Sequence, residues 1–300
     1  MDPIKQMYTN RDAAAREKAA RHSRPPQRFR ASEVHDCARK IYYRLSGYAP
    51  APRYAIDDDY GIDGDMQHDV VRWLMTQWGV ALQGLSTDEH GNIEEQDSRI
   101  KSFTVDDLSF DVTARIDGEI KVDDEWMLLE IKSVGYWPYK YMQEDFINGK
   151  EVDGVRLEGA DALRHRIMTS SASAGYIDQM HVCMAIYGMR KGYLLVKDRS
   201  GCKTGVHNTK TGDCVGGMIV EWDQERWDTI LKRLHMIRVK VNTGVPPLAG
   251  FPPGSDDCKL RCPFVYLCHD ADKRRQRGLE PATVYPDPLV QIEQAPEGTS

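Results

Sequence analysis

Four cysteines and a short acidic–basic set carry the chemistry that this chain could do. Cys258, Cys262 and Cys268 stand in CKLRCPFVYLC, spaced C-x3-C-x5-C, and Cys37 stands far upstream in CARKIYY. Clustered thiolates are metal ligands in a reducing compartment. Four of them suit a [4Fe–4S] cluster, and zinc, which more often uses paired C-x2-C knuckles, is the alternative. The plain explanation is buried cysteine acting as a small hydrophobe. It suits Cys183 in its apolar run, and Cys202 and Cys214 read as loop residues. It suits the trio poorly, because those three sit among Lys, Arg and Asp.

Between the two ends lies the second set. Glu130 and Lys132 are two apart in EWMLLEIKSV, so on a strand their side chains share a face. The preceding Met127-Leu128-Leu129 predicts burial, and a carboxylate and an ammonium at a buried strand end are costly unless paired or used. Asp117 closes an alternating run thirteen residues before Glu130, and a turn through Asp123–Asp124 would bring the two together. Two carboxylates with the imidazole of His68 can hold Mg²⁺ or Mn²⁺, the imidazole favouring Mn²⁺. Lys132 would then orient a water and steady an anionic transition state. Taken alone, E-x-K is what a cross-strand ion pair gives as readily. Asp111, Glu119 and the Asp57–Asp59 run fit a solvated acidic surface.

These residues need elements to position them. ASEVHDCARKIYYRLSGY predicts a helix opening at Ser32, and DGDMQHDVVRWLMTQWGV a second with Val70, Val71, Leu74 and Trp78 as its core face. From Arg99 to Val134 the period changes to two, predicting three strands with turns at Asp106–Asp107 and Asp123–Asp124. Residues 135–170 are mixed, consistent with a loop over the site. AGYIDQMHVCMAIYGM predicts a buried helix, GYLLVKD and GGMIVEW predict strands, and DQERWDTILKRLHMIRVKVNTG predicts a helix starting at Asp223. The order implies a mixed α/β core with helices around it.

Composition bounds the rest. With 300 residues, 41% hydrophobic and 29% charged, the chain suits one elaborated soluble domain or two small ones. Its net charge of −6 does not mark a nucleic-acid binder. The average hides an asymmetry: residues 1–50 carry eleven basic against five acidic side chains, +6, and residues 51–150 nine against twenty-two, −13. The basic front could meet phosphates or be a solvated leader, and Arg39, Lys40 and Arg44 share that choice. Trp137, Tyr139 and Tyr141 beside Lys140 could stack the bases of a single strand or anchor a loop. His181 is expected to pack or cap rather than ligate. Seven cysteines, an odd number, argue against a secreted disulfide framework. No signal-like leader or membrane-length apolar run is present, so a cytoplasmic, membrane-free protein is expected. No G-x-x-x-x-G-K-[ST] occurs, so no ATP-driven motor is built in.

Taken together, Gly64 and His68 on a helix, a hydrophobic run ending at Asp117, then Glu130-Ile131-Lys132, then Gln179 on a later helix resemble the PD-(D/E)XK nuclease superfamily in its RecB-like branch. Cys37 in C-A-R-K-I-Y-Y, the trailing trio and Pro263 resemble the members of that branch with an iron–sulfur cluster, the AddB-type nuclease domains and the CRISPR-associated spacer-trimming exonuclease. Here Cys258 and Cys262 are one residue further apart than is usual, and the family's tyrosine position after Gln179 is Cys183, with Tyr187 one turn on. The resemblance implies a restriction-endonuclease-like mixed sheet flanked by helices, its N- and C-terminal segments joined by a cluster on Cys37, Cys258, Cys262 and Cys268. It implies a metal held by His68, Asp117, Glu130 and the carbonyl of Ile131, with Lys132 catalytic and Gln179 contacting substrate or Lys132. The expected organisation is a basic leader over 1–30, a nuclease domain over 31–270 and a polar tail over 271–300. The expected function is metal-dependent hydrolysis of DNA, single-stranded or at free ends, by exonuclease or flap trimming in repair, recombination or replication. A non-catalytic nucleic-acid-binding or assembly protein on the same fold is the alternative.

Overall fold

Hydrophobic periodicity divides the chain much as the structure does. A computed structural model describes residues 28–48, 55–77, 79–84, 86–87, 93–94, 98–170, 173–198, 215–250, 258 and 262–269. The tail over 271–300, Cys202, Cys214, Trp78 and nearly all of the leader lie outside the described residues, as do the side chains of Asp57–Asp59, Trp137 and Tyr139. In chain order the elements are β1 (Phe29–Arg30), α1 (Ala38–Leu45), α2 (Ala55–Gln77), β2 (Leu82–Gln83), β3 (Ser86–Thr87), β4 (Ile93–Glu94), β5 (Arg99–Val105), β6 (Leu108–Ala114), β7 (Gly118–Val122) and β8 (Glu125–Val134). There follow α3 (Tyr136–Asn148), β9 (Lys150–Val152), β10 (Val155–Leu157), α4 (Gly159–Thr169), α5 (Ala174–Tyr187), β11 (Lys191–Asp198), β12 (Val215–Glu221), α6 (Gln224–Thr243) and α7 (Val265–His269). The fold is mixed α/β. Among the described residues no helix is long and apolar enough to cross a membrane.

Three expectations are corrected. Ala31–Glu33 forms a 3-10 turn, and the helix opens at Cys37 rather than Ser32. The run LSFDVTARIDGEI is two strands, broken over residues 115–117, so Asp117 stands in the break and not at a strand end. Residues 135–170 are α3, the β9–β10 hairpin and α4 rather than a loop. Pro138 sits in the first turn of α3, where its missing N–H is no loss, so WPYKY starts a helix.

The chain forms two compact units. The unit of Asp63–Lys101 and Thr113–Asp228 is built on a five-stranded sheet ordered β12-β11-β8-β7-β2. β7 and β8 are antiparallel across the Asp123–Asp124 turn, both residues at positive φ as a two-residue hairpin of matching twist demands. β11 lies parallel to β8, with Leu194 beside Glu130 and Val196 beside Lys132. One face of the sheet, with Ile120, Met127, Leu129, Ile131 and Leu195, packs on Val71 of α2. The other face receives α5. Gly192 lets that helix approach, since a Cβ there would meet the Met180 Cε at 2.5 Å. Leu129 is fully buried at the centre of the first face. Leu129→Ala should lower stability by about 2–5 kcal/mol, read from the denaturant midpoint, because the packed neighbours cannot close the cavity.

The unit holding residues 28–62, 102–112 and 229–269 carries the sheet β1-β6-β5. The adjacent tyrosines of α1 do its packing. Tyr42, Tyr43, Ala249, Phe264, Leu267 and Cys268 form one buried cluster, with Tyr43 5.8 Å from the Phe264 ring and 5.2 Å from Tyr48 between centroids. Arg233 of α6, buried, donates to the carbonyls of Val34 and Asp36 and so fixes the entry to α1.

Candidate active site and thiol cluster

Strand β8 carries its apolar run to Leu129 and then places Glu130 and Lys132 on the face toward α5. Glu130 is 3% exposed. Its Oε1 accepts from Lys132 Nζ at 2.6 Å and from Gln179 Nε2 at 2.6 Å, while Gln179 Oε1 accepts from Lys132 at 2.8 Å. The three side chains form a closed triangle between the strand and the helix. Burial pushes the Glu130 carboxyl up, against the pull of Lys132 and with the push of Asp117. Burial alone would lower Lys132, but the charge and hydrogen bond of Glu130 and the charge of Asp117 raise it, so the ammonium is held protonated.

Asp117 continues the ladder where β7 has not yet begun. Its N–H donates to Leu129 O at 3.1 Å, and its Oδ2 accepts from the Ile131 N–H at 2.7 Å, in place of a strand partner. Its Oδ1 lies 3.1 Å from His68 Nδ1. Against the cost of burial, His68, the Ile131 N–H and Lys132 hold this carboxyl below its usual value. A carboxylate only accepts, so in this contact His68 Nδ1–H is the donor. His68 sits on α2 with its side chain 21% exposed.

The structure thus brings His68, Asp117, Glu130, Ile131, Lys132 and Gln179 into one site within one unit. Gly64 lies in the helical backbone of α2, one turn before His68. Among the described residues no three His, Cys, Asp or Glu side chains stand in position to hold a metal ion. The donor chemistry nevertheless fits a divalent cation. Asp117, Glu130 and Lys132 together carry −1, and Asp117 Oδ1 and Glu130 Oε1 are engaged by side chains rather than by the strand backbone.

Two neighbours were not singled out from the sequence. Arg72, one turn beyond His68, donates from Nη1 to Asp117 O at 3.2 Å and from Nη2 to Asp69 at 2.5 Å. Its i, i+4 spacing from His68 was the available signal. Tyr176 sets its ring 5.3 Å from Lys132 Nζ. His181 caps as expected: Nδ1–H donates to Ile177 O at 2.8 Å, and Nε2 accepts from the Asp223 N–H at 3.1 Å at the entry to α6. Asp223 Oδ1 in turn accepts from the Arg226 N–H, making the expected N-cap. Tyr141 is exposed on α3, with the Arg166 guanidinium 5.8 Å from its ring centroid.

In the other unit Cys37, Cys258, Cys262 and Cys268 form no disulfide. Burial pushes Cys262 up to about 11 and raises Cys268, and each of these two feels both Cys37 and Cys258. Cys37 caps α1, and its Sγ accepts from the Gly250 N–H at 3.4 Å. Arg39 is buried, donating to Pro247 O at 2.7 Å and from Nη1 to Cys268 Sγ at 3.7 Å. Arg44 is paired with Glu33, and Lys40 with Asp36 at 2.8 Å. Arg39 and Arg44 therefore serve the interior of this unit rather than a phosphate backbone. Four thiols flanked by two cationic side chains fit a group that needs thiolate ligands. Cys183 belongs to the unit of the five-stranded sheet, where it is fully buried on α5.

No family model matches the sequence, and no curated protein matches it. Among solved structures, the chain is similar to SSO0001 at 12% identity and a TM-score of 0.44, covering 88% of this chain and 96% of that one. It is similar to an alkaline exonuclease from Laribacter hongkongensis at 14% identity and a TM-score of 0.42, covering 73% and 90%. It is also similar to a phage-related exonuclease from Haemophilus somnus 129PT at 12% identity and a TM-score of 0.43, covering 72% and 94%.

Proposed function

We propose that this chain is a divalent-metal-dependent deoxyribonuclease of the PD-(D/E)XK kind, in the RecB-like branch, with a [4Fe–4S] cluster as a structural centre. The observation that carries the reading is the buried triangle of Glu130, Lys132 and Gln179 beside Asp117. A cross-strand ion pair needs neither the glutamine that bonds both its partners nor a second carboxylate set against the first.

His68, Asp117 and Glu130, with the Ile131 carbonyl, would hold Mg²⁺ or Mn²⁺. A cation there supplies Lewis acidity toward a phosphate oxygen and an acidified water. Lys132 supplies N–H donors on the same side, aimed where negative charge grows on the phosphate. Gln179 bonds both Lys132 and Glu130 and so orients the two against each other. Asp117, bonded to the Ile131 N–H, ties the site to the strand. Cys37, Cys258, Cys262 and Cys268 would hold the cluster, whose contribution is to cross-link the chain. On this reading the substrate is DNA, single-stranded or at free ends, and the protein would trim it within repair, recombination or replication in the cytoplasm.

Degradation of end-labelled single-stranded and duplex DNA with Mn²⁺, abolished by chelator, tests the reading. Its absence would leave a binding or assembly protein on this fold. His68 gives a finer test. His68→Ala should raise the Mn²⁺ concentration for half-maximal activity by about 10–100-fold, in the range seen when a metal site loses a supporting group. An unchanged half-saturation with a lowered melting temperature would reduce His68 to a packing residue.

A further inference from the structure

Helix α5 presents three side chains to the charged pair. Tyr176, Gln179 and Cys183 recur at i, i+3 and i+7, which puts them on one side of the helix. Gln179 bonds Lys132 and Glu130. Cys183 is fully buried, and after burial itself the charges of Glu130, Lys132 and Asp117 are what act on its thiol. Tyr176, one turn toward the N-terminus, holds its ring 5.3 Å from Lys132 Nζ. Tyr187 is engaged elsewhere: the Arg99 guanidinium lies 4.2 Å from its ring centroid, and its hydroxyl reaches Ala114 O at 3.5 Å.

We propose that Tyr176 is the positioning residue for Lys132, holding the ammonium by its ring face. It does so from one turn before Gln179, where the position one turn after is a cysteine. The reason it is needed lies in the competition for Glu130. Lys132 is a compact charge on a flexible four-carbon stem, and its carboxylate anchor is Glu130 at 2.6 Å. With Glu130 also holding a divalent cation, that anchor would be weaker. A ring face attracts the ammonium without accepting a conventional hydrogen bond. It therefore keeps Lys132 over the site and leaves its N–H donors for water and phosphate. The small thiol of Cys183 could not do this.

The catalytic half of the inference rests on the nuclease reading, and the contact itself does not, so the experiment has two arms. In protein carrying ¹³C-labelled lysine, the Lys132 ε-methylene signal, assigned by its loss in Lys132→Arg, should lie upfield from the ring current in wild type and in Tyr176→Phe. It should return to the ordinary lysine position in Tyr176→Leu and Tyr176→Gln, two variants so that one misfolded protein does not decide the matter. In DNA hydrolysis at saturating Mn²⁺, Tyr176→Leu should lose roughly 10-fold in kcat, the scale of a desolvated cation–π contact. KM and the Mn²⁺ half-saturation should hold, and Tyr176→Phe should restore kcat. A signal unmoved by Tyr176→Leu overturns the proposal, as does a Phe variant as slow as the Leu variant, which would make the hydroxyl rather than the ring the working part. A signal that moves in a protein whose wild type cuts no DNA leaves the contact standing and removes the nuclease reading.

Discussion

Glu130→Gln should bring DNA hydrolysis to background while the protein stays folded. The amide keeps the volume of the carboxylate and can still accept from Lys132, so the triangle with Gln179 survives in shape. What is lost is the negative charge. Asp117, Glu130 and Lys132 then sum to neutral, and the pull on a divalent cation goes with it. Glu130→Ala should match it in activity and do worse in stability, since it strips a largely buried ammonium of its partner. Lys132→Ala is the contrasting case. It should bind Mn²⁺ at least as well as wild type, because it leaves two carboxylates without a competing cation, yet lose about 10²–10³-fold in kcat, the usual cost of removing one donor aimed at transition-state charge. Calorimetric titration with Mn²⁺ beside single-turnover hydrolysis separates the two effects. Brisk cleavage by Glu130→Gln, in material free of contaminating nuclease, would remove Glu130 from the site.

How far the sequence led is clearest around β8. Met127-Leu128-Leu129 followed by E-x-K predicts a buried strand with charges at its end; β8 in fact runs on to Val134, and it is the alternation, which puts Glu130 and Lys132 on one face, that holds. The Asp123–Asp124 turn was legible because paired aspartates tolerate the left-handed conformation that a two-residue hairpin requires. Asp117 was found as a residue and misplaced as an element. Alternation ran unbroken through VTARIDGEI, and period alone could not show that residues 115–117 leave the ladder so that the Asp117 side chain takes the place of a backbone partner. Tyr176 is not marked by the motif, whose aromatic stands after Gln179, although helical spacing serves equally well one turn before it. Arg39 and Arg44 were left open between solvent and phosphate. Charge says nothing of burial, and only contacts from Pro247 and Glu33 fix them inside.

Cys37→Ala and Cys262→Ala should each yield colourless, less stable protein from a preparation in which wild type, purified without oxygen, is brown with the broad absorbance of thiolate-bound iron and sulfide. The argument begins with the thiols as they stand. Cys262 is pushed up to about 11 by burial, and Cys268 is raised as well, so without a ligand both are protonated at neutral pH. Burial raises any packed thiol in this way; what sets these two apart is that each lies within electrostatic reach of two more thiols. They are suited to a group whose own positive charge deprotonates them on binding. Arg39, donating toward Cys268 Sγ, and Lys40, acting on Cys262, would offset the negative charge of the loaded centre. Holding Cys37 to Cys268 closes a loop of more than two hundred residues, and chain-entropy accounting puts such a cross-link at about 5 kcal/mol. Losing one ligand should forfeit much of that, read as a lower denaturant midpoint in anaerobic buffer. Cys183→Ala should stay brown, since that thiol belongs to α5, and Cys202→Ala should lose neither colour nor stability. Stoichiometric zinc without iron in anaerobic material would replace the cluster with a zinc site on the same four residues, and an unaltered chromophore in Cys37→Ala would detach the upstream cysteine from the centre altogether.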